Sequence, residues 1–255
     1  MIRYLLTHPL MRGRSLDDPQ TTQARKELIR QKKFLEKIYQ EWYGLIRAEL
    51  GFATGTVLEL GSGAGFLDEF IPNSIKTEVF YLADMDAILD AGRLPFKDQS
   101  LSAIVMSDVF HHLPKPRDFL KEVIRELPKG GKVVMIEPWV SRWSRWVYPH
   151  FHHEPFDPEV KKWEFPSTGP LSGSNQALPW IIFERDRELF ENEFPELSIK
   201  KIQPLMPFRY LVSGGVSLRS LMPGWSFGLW IWMEKLIVRK IELWGMFALI
   251  VIEKV

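Results

Sequence analysis

The chain contains no cysteine. Disulfides, thiolate metal sites and a cysteine nucleophile are therefore excluded, and the composition fits a reducing, cytoplasmic setting. Net charge is almost absent too: 33 Lys and Arg stand against 32 Asp and Glu, so no general pull toward nucleic acid is expected. No run of 18 apolar residues occurs, and no spanning helix is expected. The apolar patch within Met1–Pro9 is too short for a signal peptide. Internal repeats and low-complexity tracts are missing as well. What is present is 255 residues, 45% of them hydrophobic, enough to bury one α/β core with extensions as a single domain. Tryptophan is abundant, with ten residues, all but Trp42 at or beyond Trp139.

The informative stretch is Val57-Leu58-Glu59-Leu60-Gly61-Ser62-Gly63-Ala64-Gly65-Phe66. Its start reads as a buried strand. Three alternating glycines follow where the chain must turn and admit a ligand to its backbone. A dinucleotide fold needs G-x-G-x-x-G, but Phe66 holds the sixth position, and no Lys-Ser/Thr pair marks a P-loop.

The rest of the chain is read around that turn. Residues 1–20 form an irregular lead-in. A covering helix capped by Thr21 or Thr22 runs to about Leu50, with Leu28, Leu35, Ile38, Trp42 and Ile46 near helical spacing. A crossover helix starts at Phe66 and is cut short by Pro72. Glu78–Asp84 is expected as the second strand, ending in a carboxylate suited to ribose hydroxyls. Asp84 is preferred for that role, with Asp86 as its competitor. Leu101–Ser107 and Lys132–Pro138 read as further strands flanking a helix that opens at Pro116.

Four motifs in order, Glu59–Gly65 (E-x-G-x-G-x-G), Asp90–Phe96 (D-A-x-x-L-P-F), His111–Leu113 (H-H-L) and Pro128–Gly131 (P-K-G-G), resemble class I S-adenosylmethionine-dependent methyltransferases of the small-molecule type. The resemblance covers roughly residues 56–138. It implies an α/β, Rossmann-like, mostly parallel sheet with an antiparallel last strand. S-adenosylmethionine is the implied cofactor, held by Glu59, Gly61, Ser62, Gly63, Gly65, Asp84, Met85, Asp90, Ala91, Ser107, Asp108 and Val109. One departure stands out: only Met85 to Leu89 separate the two acids. A parallel crossover needs a dozen or more residues, so the sheet is expected to be shortened after its second strand.

Residues 139–178 and 206–244 are insertions rich in aromatics. They are expected to roof an apolar or lipid-linked acceptor, with Trp143, Trp146, His150, His153 and Trp225 as acceptor contacts. Methyl transfer needs a base only if the acceptor must lose a proton; His111, His112, Glu137 and His152 are the candidates. The His150–Glu154 cluster fits no ligand helix, and no metal is expected. The aromatic block Trp225–Met233, with Lys235, Arg239 and Lys240, suits a peripheral membrane surface. The alternative is a binding or scaffold protein that kept the fold without catalysis. Base methylation is not indicated, because Ser107-Asp108-Val109-Phe110 stands where an N-P-P-Y motif would lie. The oligomeric state is left open.

Overall fold

Short apolar runs cut by glycine and proline become the strands. The computed structural model describes residues 6–15, 17–51, 55–152, 154–167, 169, 171, 173–238 and 240–255. Its strands are β1 (Val57–Leu60), β2 (Ile75–Glu78), β3 (Ala87–Ile88), β4 (Ala103–Ser107), β5 (Lys132–Pro138), β6 (Leu197–Leu205) and β7 (Phe247–Lys254). They make one sheet in the order β3-β2-β1-β4-β5-β7-β6. The first five are parallel, and β7 enters antiparallel between β5 and β6. Because β1 lies between β2 and β4, the winding direction reverses there. The crevice beyond the carboxyl ends of β1 and β4 is where open α/β sheets take ligands.

Both sheet faces are buried, which explains unbroken Val, Ile and Met runs in place of a polar alternation. Along β5, Val133 and Met135 join one core and Val134 and Ile136 the other, as a period of two requires. Among the described residues, the α-helices of five or more residues are α1 (Pro19–Gln31), α2 (Lys33–Leu50), α3 (Pro116–Glu126), α4 (Ser144–Phe151), α5 (Arg187–Glu193), α6 (Arg209–Ser213) and α7 (Phe227–Ile237). On one face α3 packs through Phe119, Leu120 and Val123. On the other, α2 buries Phe34, Leu35, Ile38, Trp42 and Ile46 almost completely, each worth roughly 1.5–3 kcal/mol.

The single N-terminal helix expected from the sequence is two helices. Asp18, rather than Thr21 or Thr22, caps the first, its Oδ1 accepting from Gln20 N at 2.9 Å with Pro19 in the first turn. The break falls at Lys32, whose buried amine donates to the Gly215 and Leu218 carbonyls; burial lowers its pKa to about 7.

The β1–β4 half departs most from expectation. The crossover after the glycine turn is only a 3-10 turn, Leu67–Glu69. Tyr43 of α2 covers that face instead, packing on Phe66 at 5.0 Å and on Phe70 at 5.6 Å between ring centroids. The second strand lies at Ile75–Glu78, earlier than the expected Glu78–Asp84. Val79 and Tyr81, expected inside it, are exposed at 42% and 70%. The third strand is only two residues long, the shortening foreseen in the sequence. The expected helix from Trp180 is interrupted by a π turn, Ile181–Arg185, before α5 begins.

Candidate active site

The glycine turn is held between β1 and β2 by hydrogen bonds from Ser62 N to Thr77 O (2.9 Å) and from Thr77 Oγ1 to Glu59 O (2.8 Å). Gly61 has φ +66°, and a Cβ there would lie 2.5 Å from Val109 Cγ2. A Cβ on Gly63 would meet the Glu78 carboxylate at 2.7 Å, and one on Gly65 would run into the Tyr43 hydroxyl. At each of the three points a Cβ would force a neighbouring side chain to move, and at Gly61 the positive φ strains any side chain as well. Burial raises Glu59 to about 7.

The acid at the tip of β2 is Glu78, whose carboxylate accepts from Val79 N at 2.9 Å and from the Gly63 backbone. Burial raises its pKa. Asp84, placed at this tip by the sequence reading, sits six residues further along in an exposed ion pair with Lys26. Neither Asp84 nor Met85 lines the cavity. The reason is the register: β2 pairs Leu58 with Ile75 and Glu59 with Lys76, which ends the strand at Glu78. Asp86 instead accepts from Lys76 N at 2.8 Å and ties the following loop back to β2.

Beyond β4 the chain turns at Asp108, which has φ +64°. The buried carboxylate of Glu137, on β5, fastens this turn by accepting from Val109 N and Phe110 N, both at 2.8 Å. Glu137 also meets His111 Nδ1 at 2.8 Å, and His111 Nε2 lies 3.3 Å from Glu154 Oε2. Gln176 Nε2 donates to the same Glu154 oxygen at 3.1 Å. His112 Nδ1 faces the Gly173 carbonyl at 3.3 Å, and its Nε2 lies 3.9 Å from Glu154 Oε1.

Electrostatics follow from this enclosure. Burial opposes protonation of His111, but the hydrogen bonds to Glu137 and Glu154 outweigh it and hold the imidazole well above its usual range. Burial and the adjacent His111 push His112 down to about 3, so it is neutral. Burial acts against ionisation of Glu154, yet the hydrogen bond to His111 and nearby His112 hold it well below the usual carboxylate range. Asp108 is raised to about 7, mainly by burial. His111, His112 and Glu154 place one ligand-competent atom each within 4.8 Å of one another, a convergence the sequence reading did not anticipate.

Two cavities meet at this point. The larger, about 440 Å³, is lined by the glycine turn, Glu59, Glu78, Asp90, Ala91, Ser107, Asp108, Val109, His112 and Glu154. The Ser107 hydroxyl is buried with no partner among the described residues. The smaller, about 240 Å³, is walled by Val147, Tyr148, Phe151, Leu211, Leu218 and Met246. His152, Tyr210 and Val216 line both. Among the expected acceptor contacts, Trp143, Trp146, His150 and Trp225 line neither. Trp143 donates from Nε1 to Pro207 O at 2.7 Å and stacks on Trp146, while Trp225 is 81% exposed. His153 lies outside the described residues. Sequence reasoning missed Arg25, Tyr39, Tyr43, Glu78 and Tyr210, all of which line the larger cavity. Only the Tyr39/Tyr43 spacing on a covering helix could have pointed to two of them.

The fit to an adenosyl-sulfonium cofactor rests on this geometry. A backbone cradle that tolerates no Cβ, a strand-tip carboxylate and an orphaned buried hydroxyl all face one space. Comparisons with known proteins agree. The methyltransferase domain family matches residues 82–135. No curated protein sequence matches the chain. Among solved structures, the fold is similar to geranyl diphosphate C-methyltransferase from Streptomyces coelicolor A3(2), in complex with Mg2+, geranyl diphosphate and S-adenosyl-L-homocysteine. That likeness has a TM-score of 0.51 at 15% identity and covers 98% of this chain and 89% of that one. It is similar too to the methyltransferase-fold partner in a complex with the Haloferax volcanii Trm112 methyltransferase activator. There the TM-score is 0.51 at 14% identity, over 94% of this chain and 97% of that one.

Proposed function

We propose that this chain is a class I, S-adenosylmethionine-dependent methyltransferase, a reading supported by the methyltransferase domain family model over residues 82–135, and that it methylates a small, largely apolar acceptor held across the two adjoining cavities. The observation that carries the reading is the sharing of His152, Tyr210 and Val216 by the cofactor-sized space and the apolar chamber. When bound, S-adenosylmethionine supplies a methyl group already activated by the sulfonium charge.

The chain's own residues then have three tasks. The Gly61–Gly65 backbone admits the amino-acid part of the cofactor, Glu78 accepts from the ribose hydroxyls, and Asp90 and Ala91 border the adenine. Asp108 faces the sulfonium. The chamber formed by α4 and the Tyr210–Leu218 stretch orients the acceptor's apolar body and excludes water, and such positioning can supply most of the acceleration. His112, His152 and Glu154 meet the acceptor's reactive end. His111 and Glu137 are positioning residues: His111 is fully buried and lines neither cavity.

Among the described residues no helix is long and apolar enough to cross a membrane. The reading adds a peripheral contact. Trp225, Leu229, Trp232 and Leu236 on and before α7 are exposed by half or more of their surface, beside exposed Lys235. That pattern suits the interface of an anionic bilayer, from which an apolar acceptor would be drawn. Flotation with anionic vesicles checks it; absence of salt-sensitive binding removes this contact.

Calorimetric titration with S-adenosylmethionine and S-adenosylhomocysteine tests the core of the reading. Transfer of a labelled methyl group into the organic extract of a membrane fraction tests the acceptor class. Leu211→Trp, which fills the apolar chamber, should reduce that transfer and leave cofactor affinity unchanged. Failure to bind either cofactor form would favour the scaffold alternative.

A further inference from the structure

His111 and His112 are adjacent, yet each has its Nδ1 committed to a group that only accepts. For His111 that group is Glu137, whose oxygens already take two backbone N–H groups at 2.8 Å, and the Nδ1 contact is 2.8 Å. For His112 it is the Gly173 carbonyl at 3.3 Å. The ring proton of each therefore belongs on Nδ1, because which nitrogen is protonated is set by the bond the other makes. His112 Nε2 is thereby left as a lone-pair donor, and His111 Nε2 becomes one when an ion displaces the second ring proton that its two carboxylate neighbours favour.

Those two lone pairs converge on a third acceptor. His111 Nε2 is 3.3 Å from Glu154 Oε2, and His112 Nε2 is 3.9 Å from Glu154 Oε1. Three such atoms gathered in a buried place can together hold a cation. A proton on His111 can serve one pair only. Donors bound at ~2.0–2.1 Å to a tetrahedral ion lie roughly 3.3–3.4 Å apart, so small side-chain shifts would let one ion serve all three.

We infer that His111 Nε2, His112 Nε2 and the Glu154 carboxylate form a binding site for one divalent transition-metal ion. Two imidazoles and a carboxylate suit zinc, cobalt or iron rather than magnesium or calcium. The Glu137–His111 contact is the outer carboxylate that commonly orients a ligating histidine, and Gln176 steadies Glu154 at 3.1 Å. Because His112 and Glu154 line the larger cavity, the ion's remaining positions would open toward the acceptor. There it would act as a Lewis acid, drawing an acceptor hydroxyl to it and easing loss of its proton. This catalytic role rests on the methyltransferase reading; the binding itself does not.

Cobalt(II) alone, titrated into the full-length protein and followed by its visible ligand-field absorption, is the test. One equivalent should bind saturably and be displaced by Zn2+. His112→Phe and Glu154→Gln should each weaken binding at least tenfold, and Glu137→Gln by about tenfold or more, the usual scale for an outer-shell partner. The exposed His150→Ala variant should bind as wild type does. S-adenosylhomocysteine affinity, measured on every variant, certifies the fold and reports separately on the cofactor reading. A wild-type protein without saturable one-to-one cobalt binding overturns the inference and leaves a protonated His111 as the cation. So would undiminished binding in both ligand variants.

Discussion

The two ends of the central cavity are built from different material. At the cofactor end the working surface is backbone: Gly61, Gly63 and Gly65 sit where any Cβ would collide, on a turn braced by β2. At the other end it is side chains, His112 and Glu154, backed by the buried charges of His111 and Glu137 and brought together from β5, the turn after β4 and the following insertion. A backbone cradle needs a contiguous motif, because consecutive residues must share an unusual conformation. A buried charge cluster needs only that its members meet in space. The first can be read along the chain, and the second emerges only once the sheet and insertion have closed.

The largest expected effect breaks the acceptor end. Glu137 is fully buried and faces His111 and two backbone N–H groups. Glu137→Leu should cost about 3–5 kcal/mol of stability, the scale for removing one partner of a buried charged pair. Chemical denaturation would measure it. A loss below about 1 kcal/mol would mean that the turn after β4 holds itself, and the contrast between the two ends would weaken.

How far the sequence was legible follows the same division. The motifs from Glu59 to Gly131 locate three of the parallel strands, β1, β4 and β5, to within a few residues or better, and misplace β2. Glu78–Asp84 reads as β2 in the sequence because Val79, Phe80, Tyr81 and Leu82 look like a strand, whereas pairing with β1 selects Ile75–Glu78. Local propensity lost to register, and the predicted acid moved with it. Trp143, Trp146 and Trp225 look like site residues in the sequence because aromatics cluster in the insertions. They pack against one another or face solvent, while Tyr39, Tyr43 and Tyr210 line the cavity. Residue type alone cannot say which aromatics point inward when no regular element fixes their phase.

Register gives the next prediction, of intermediate size and confined to the cofactor end. Glu78→Ala should weaken S-adenosylmethionine binding by roughly 1–3 kcal/mol, the range for hydrogen bonds to a charged group. Asp84→Ala, which removes only an exposed ion pair, should change binding by less than about 0.5 kcal/mol. Calorimetry on both variants decides the matter: equal losses, or a loss in Asp84→Ala alone, would return the ribose role to the later acid.

The smallest effect lies where the two ends meet, at Asp108. Burial raises its carboxyl to about 7 from an ordinary 3.8. A raised acid binds its proton more tightly in the folded state, so its contribution to stability is present below about 3.8 and is lost as pH rises through about 7. A sulfonium placed beside it favours the carboxylate instead. S-adenosylmethionine carries that charge and S-adenosylhomocysteine does not, so the preference for the first over the second should grow roughly tenfold between pH 6 and pH 8. Glu59 titrates in the same window, pushed to about 7 by burial. It borders the glycine turn, where both ligands present the same amino-acid group, so the ratio of affinities cancels its effect. Asp108→Asn keeps the size, tolerates the φ of +64° better than most residues, and has no charge to gain. Titrations of both ligands at the two pH values should therefore give a flat ratio in this variant. A ratio that still rises with pH would place the sulfonium beside some other titrating group.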